Sequence, residues 1–219
     1  MNDSALTFRP EAATAALAAC WSCHGPLAPE AIFCSTCKAV QPPRPVDHFS
    51  RLGLPVDFAV DAAELDRRYF AAQRQLHPDR FATRSARERA VSQSQAVSLN
   101  EAYETLKEPL ARANYLLKLK GVDVNPDGCH TVNDHTLLME QLERREALAE
   151  ADTSAQVDAI ARETVVHVGE STRAIAQAFA TGDVDAAGRE TTRLKYLVKL
   201  VEEAQARRDR KSTRLNSSH

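Results

Sequence analysis

The chain has 219 residues and a formal net charge of −2, with 43% hydrophobic and 26% charged side chains. That length holds one or two ordinary domains, and the apolar content suffices for a core. The near-neutral balance gives no global attraction to nucleic acid or to an anionic lipid surface, and no apolar run approaches a membrane span. Aromatics make up 5% of residues and glycines number seven, while Ala, Leu, Glu, Arg and Gln dominate, which favours helix.

Residues 1–19 read as a weakly structured lead-in. The stretch "AATAALAAC" ends in a lipobox-like Leu17-Ala18-Ala19-Cys20. Asp3 and Glu11 flank a single Arg9, and the middle is mostly alanine, which argues against a secretory signal and a mitochondrial transit peptide. The expected compartment is the cytoplasm, with the mitochondrial matrix as the alternative.

Residues 20–40 carry four cysteines in two pairs, Cys20-x2-Cys23 and Cys34-x2-Cys37, separated by ten residues. Each pair can form a knuckle whose two thiolates face one ion, and four thiolates suit tetrahedral zinc. Trp21 and Phe33 flank the pairs and can cover so small a site. With no open coordination position the site is structural. A pair of disulfides is the rival, and it fits poorly without an export signal. Cys129 stands alone and reads as incidental.

"QPPRP" (Gln41 to Pro45) is a stiff spacer. Residues 46–121 then read as helices: about Asp47 to Leu54, from Asp61 to the break at Pro78, about Ser85 to Leu106, and a short one stopped by Gly121. Asp61 and Glu64 suggest a capping box. Ala62, Leu65, Tyr69, Ala72 and Leu76 form one stripe, and Arg67 and Arg74 lie opposite it with Arg68 to one side. Between the two long helices sits "QLHPDRF", where His77-Pro78-Asp79 can continue neither. Asp79 could merely cap the next turn, or the loop could carry function.

Val122 to Asn133 is turn-rich and reads as a linker. Residues 134–206 suggest three antiparallel helices, about 134–151, 154–180 and 183–206. In the first, Leu137 and Leu148 share one side, whereas Leu138, Met139 and Leu142 spread about halfway round, beyond what a three-helix core needs, with Glu143 and Glu146 at the border. In the last, Tyr196 and Leu200 lie opposite Leu194, Val198 and Val201. These off-core groups either form a partner patch or pack against the preceding domain. Residues 207–219 read as a disordered tail, and "STRLNSSH" resembles translated adaptor sequence.

"YFAAQRQLHPDRF" resembles the J domain of DnaJ-like proteins. With "DHFSRLGL", "NEAYETLKEPLARANYLL" and "LLMEQLERREAL", nearly the whole chain from Cys20 to about Ala206 resembles the HscB family, J-proteins dedicated to iron–sulfur cluster assembly. The cysteine knuckles resemble those of its zinc-bearing members. The resemblance implies an all-α fold: a small zinc-knuckle segment, a J domain with an antiparallel hairpin, and a C-terminal three-helix bundle.

It also implies a co-chaperone that performs no chemistry itself. His77, Pro78 and Asp79, with Arg67, Arg68 and Arg74, would dock on a DnaK-type chaperone, HscA, and speed its ATP hydrolysis. Leu138, Met139, Leu142, Glu143, Glu146 and Tyr196 match positions that bind the scaffold IscU. Cys20, Cys23, Cys34 and Cys37 would hold one zinc ion. Self-association stays open. The rivals are a J-domain adapter for another client and a zinc-ribbon nucleic-acid binder. The ribbon segment has too little positive charge for the latter, and no glycine-rich phosphate loop, His-Glu-x-x-His helix or nucleophile elbow marks an enzyme.

Overall fold

The computed structural model describes residues 18–28, 31–122 and 135–216, with side chains up to residue 209. Most of the expected lead-in and of the second linker, including Cys129, lies outside the described residues. Among the described residues seven helices account for most of the chain: α1 (His48–Leu52), α2 (Ala62–Leu76), α3 (Ala86–Lys107), α4 (Pro109–Leu119), α5 (His135–Glu150), α6 (Ser154–Thr181) and α7 (Val184–Asn216). Among the described residues the strands are β1 (Ala18–Ala19) and β2 (Pro26–Leu27), an antiparallel pair at the first cysteine knuckle. The expected all-α class with a small cysteine segment is therefore what is found.

The chain forms two compact units, 1–46 with 71–100 and 47–70 with 101–219, so α2 and α3 each carry residues of both. The two helices are antiparallel. Tyr103 Oη donates to Asp66 and its ring stacks on Tyr69 at 3.9 Å, while Ser92 Oγ donates to Leu76 O. As positions rise along α2 their partners fall along α3. Leu65, Tyr69 and Leu76 of the expected stripe are buried, as are Leu99, Tyr103 and Leu106 on α3. Each such side chain contributes about 1.5–3 kcal/mol by leaving water.

Local chemistry sets the helix ends. Asp47 Oδ1 accepts from Ser50 N and Gly53 closes α1 at φ 65°. Asp61 Oδ1 accepts from Ala63 N and Glu64 N, so half of the expected capping box forms. Glu64 is held instead by Arg67 and Arg68, because two guanidiniums attract a carboxylate more than one backbone amide does. A full box occurs at Thr153 and Gln156, where α6 begins. Arg112 bends across the α3–α4 elbow and donates to Leu106 O, placing a cation at the C-terminus of α3.

The bundle α5–α6–α7 has the expected antiparallel course, shown by Ser171 meeting Glu190 and by the cluster Leu148, Val157, Leu200 and Ala204. Two details differ from the sequence expectation. Leu200 is buried in that cluster, not turned away, while Val198 and Val201 are half-buried. Leu148 of α5 and Val157 of α6 pack on Leu200, while α4 meets α7 near its start, at Ala187. Helix α7 also continues to Asn216, beyond the expected end at Ala206. Arg and Lys are good helix formers, and Arg207 donates to Leu148 O, Ala149 O and Ala151 O, capping α5.

Truncating Leu200 to Ala should cost about 2–5 kcal/mol in urea denaturation, whereas Lys199→Ala on the exposed neighbour should stay within about 0.5 kcal/mol.

Candidate docking corner and metal centre

Helix α2 must stop at Leu76, because Pro78 has no amide to donate and the residue before a proline avoids helical angles. The chain then makes one 3-10 turn, Pro78–Phe81, before α3. His77 caps that turn: its Nδ1 accepts from Asp79 N at 3.3 Å. That leaves Nε2 as the ring donor. The Asp79 carboxylate lies 3.5 Å from His77 Nδ1 and its side chain is 89% exposed. Phe81 is buried beneath the turn. The carbonyl that the proline orphans is Arg74 O, which accepts from the Arg80 guanidinium instead, and the buried Ser92 hydroxyl satisfies Leu76 O, left open where α2 ends. His77, Pro78 and Asp79 thus form one exposed polar corner on a fixed base.

The three arginines of α2 differ in what they touch. Arg74 is exposed, and its carbonyl accepts from Arg80. Arg67 is mostly exposed and pairs with Glu64. Arg68 also pairs with Glu64, and its guanidinium reaches the carbonyls of Leu52 and Gly53, so it ties α2 to the end of α1. Phe70 is half exposed and meets Tyr69 edge-on.

The cysteine segment has an internal two-fold pattern. In each knuckle the residue after the second cysteine is left-handed, His24 at φ 58° and Lys38 at φ 62°. His24 N donates to Cys20 O and Lys38 N to Cys34 O; Cys20 N donates to Gly25 O and Cys34 N to Ala39 O. The same turn made twice aims two sulfur pairs at one point. Cys20 and Cys37 sulfurs are 3.6 Å apart, Cys23 and Cys34 sulfurs 3.7 Å, and all four lie within 4.8 Å of one another. A tetrahedral ion with bonds of about 2.3 Å needs sulfurs about 3.8 Å apart, so the residues fit a tetrathiolate metal centre. All four cysteines are free of disulfides.

Electrostatics points the same way. At Cys20 burial opposes ionisation, but the Cys23 and Ser22 amides and the neighbouring thiols pull it down to about 6. At Cys34 the Cys37 amide leads and lowers it against burial. At Cys23 the Gly25 amide favours the thiolate, yet the Cys37 sulfur and burial prevail and push it up to about 12. Adjacent sulfurs cannot all carry charge unaided, and a divalent cation removes that conflict.

The segment is fastened by groups the sequence reading passed over. Gln41 Nε2 donates to Cys20 Sγ and to Ala39 O, and Gln41 O accepts from Gln95 Nε2 of α3 at 2.7 Å. Trp21, expected as a cover, donates to Val40 O, and Arg87 of α3 lies over its ring at 4.4 Å. Ser92 and Gln95 continue the Leu99–Tyr103–Leu106 stripe backwards at helical spacing, which was the available signal for buried polar anchors.

In the second unit, Leu138, Met139 and Leu142 are 54%, 44% and 50% exposed along α5. Glu143 and Glu146 are exposed beside them, and Tyr196 of α7 is half-buried. Glu140 and Arg193 form an ion pair that ties α5 to α7, as do Arg145 and Glu203.

The sequence model of the HSCB C-terminal oligomerisation domain matches residues 133–205. The crystal structure of human co-chaperone protein HscB matches with a TM-score of 0.81 at 35% identity, covering 86% of this chain and 98% of that one. The chain belongs to the HscB co-chaperone family. A second member of known structure, chaperone HscB from Vibrio cholerae, matches with a TM-score of 0.67 at 35% identity, over 75% of this chain and 99% of that one. Human iron-sulfur cluster co-chaperone protein HscB is 41% identical over 145 residues, which is 64% of this chain and 61% of that protein. The Cupriavidus taiwanensis co-chaperone protein HscB homolog is 49% identical over 114 residues, 52% of this chain and 64% of that protein. The chain therefore spans less than two thirds of the length of these HscB relatives.

Metal analysis of purified protein should find about one ion per chain, lost in Cys34→Ser. Because binding displaces thiol protons, retention against a chelator should weaken as pH falls.

Proposed function

We propose that this HscB-family protein is a co-chaperone of iron–sulfur cluster assembly that links a scaffold to a DnaK-type chaperone. The carrying observation is the exposed His77-Pro78-Asp79 corner, held rigid between α2 and α3. In this reading the J domain spans 46–121 and docks on HscA through the corner and through Arg67, Arg68 and Arg74. The charged residues raise the association rate and its salt dependence more than the final affinity. Arg68 acts partly by holding α1 in place. The protein supplies no reacting group: it shifts the partner's own hydrolysis by binding its competent state better.

The bundle, 134–206, carries IscU on the α5 face. Leu138, Met139 and Leu142 supply apolar area, Met139 adds adaptability, and Glu143, Glu146 and Tyr196 frame it. Exposure of three large apolar side chains side by side on α5 supports a partner there. The segment 20–40 holds a structural zinc ion through Cys20, Cys23, Cys34 and Cys37, a choice supported by four thiolates at tetrahedral spacing.

His77→Gln should abolish stimulation of HscA ATPase while circular dichroism and Tm stay unchanged; equal stimulation by wild type and variant would remove the J-domain reading. Leu138, Met139 and Leu142 changed together to Ala should weaken IscU binding by about tenfold or more in calorimetry, as expected when an apolar hot spot is truncated.

A further inference from the structure

We propose that the groove between the second cysteine knuckle and the His-Pro-Asp corner is an additional docking subsite, which takes an acidic segment of the DnaK-type chaperone. This rests on the chaperone-docking reading and extends the contact beyond the corner onto the cysteine segment.

The groove is open and holds about 480 Å³, room for a short extended stretch of chain. One wall is the knuckle, with Phe33 and Lys38; the other is the hairpin tip, with Arg80, Arg84 and Gln75. Phe33 is half-buried and Phe81 buried, so both give apolar floor, while Lys38, Arg80 and Arg84 are exposed. Three cations thus face one carboxylate, Glu88. Glu88 is already committed, because its Oε2 accepts from Ser85 N and Ser85 Oγ at the start of α3. The groove thus carries an excess of positive charge, which suits an acidic occupant.

Position fixes which occupant. Arg80 and Phe81 follow Asp79 directly, in the same 3-10 turn. A protein seated on the corner covers the groove mouth without a new encounter. The knuckle wall is also held in advance. Lys38 takes its left-handed backbone from the turn that aims Cys34 and Cys37, and its Nζ donates to Ser35 O, leaving further donors for a partner. Gln41 and Gln95 join that wall to α3. Presenting charge from a pre-ordered wall lowers the ordering cost of binding. The cysteine segment, on this account, is half of a docking site as well as a structural module.

The test is binding of the full-length protein to the ATP-loaded chaperone over a salt series. Lys38→Glu with Arg84→Glu should weaken binding about tenfold at low salt and flatten the salt dependence. ATPase stimulation at saturating co-chaperone should remain, because the corner is untouched. Arg162→Glu with Lys199→Glu, on the exposed bundle surface, makes the same change in net charge and should leave binding unaltered. Arg84→Gln alone, at a loop position, should weaken binding in the same direction by a smaller factor. Wild-type affinity and salt slope in the groove variants would overturn the subsite, as would an equal loss in the bundle control. If wild type neither binds nor stimulates the chaperone, the proposed function itself falls, and the subsite with it.

Discussion

The structure turns on a single constraint, the forced stop of α2 before Pro78 against a second helix that must run back alongside it. Pro78 removes the donor that Arg74 O would meet, and the Arg80 guanidinium replaces it; the stop also leaves Leu76 O open, and Ser92 Oγ of α3 fills it from within the packed pair. Phe81 then sinks beneath the turn while His77 and Asp79 stay outside. The corner has few ways to relax, since Asp79 N is capped by His77 Nδ1 and the carbonyls of His77 and Asp79 accept from Arg80 N and Ala82 N. A rigid polar tip is a poor catalyst and a good handle. It offers no nucleophile and base aligned on a cavity, but it gives a partner a fixed pattern of donors and acceptors.

The cysteine segment repeats the same logic at smaller scale. Two five-residue turns of one design, each with a left-handed residue after its second cysteine, bring four sulfurs together with no apolar core of consequence. Modules this small commonly rely on a metal or another staple for stability, and four adjacent sulfurs can hold one. Its fastening to α3 through Gln41, Gln95, Trp21 and Arg87 makes the hairpin tip and the knuckles one compact unit. The bundle unit is held differently, by helix packing and by cations such as Arg207 and Arg112 placed at helix C-termini.

Much of this was legible in the sequence. Helix positions followed from apolar spacing and from Asp, Thr, Pro and Gly at the ends, because those residues act locally. The cysteine spacing named the four residues whose sulfurs come together for the same reason. The exposed arc of Leu138, Met139 and Leu142 was readable because three apolar residues there exceed the core's need. What was not legible depended on groups distant in sequence. Arg207 extends α7 by capping α5, fifty-eight positions away from Ala149. Leu200 is drawn inward because Leu148 of α5 and Val157 of α6 close on it, a contact that a single-helix wheel does not contain. Arg68 could not be told from Arg67 by spacing, yet the carbonyls of α1 capture it.

Family membership joins these parts into one working hypothesis, in which one unit presents a handle to an ATPase and the other presents an apolar face to a client. Titrating unlabelled ATP-loaded chaperone into isotope-labelled protein and following backbone amide signals tests that division most directly. The account predicts that perturbations centre on residues 74–81 and leave 138–146 at their free positions. Perturbations confined to 138–146, with the His77-Pro78-Asp79 corner silent, would contradict it.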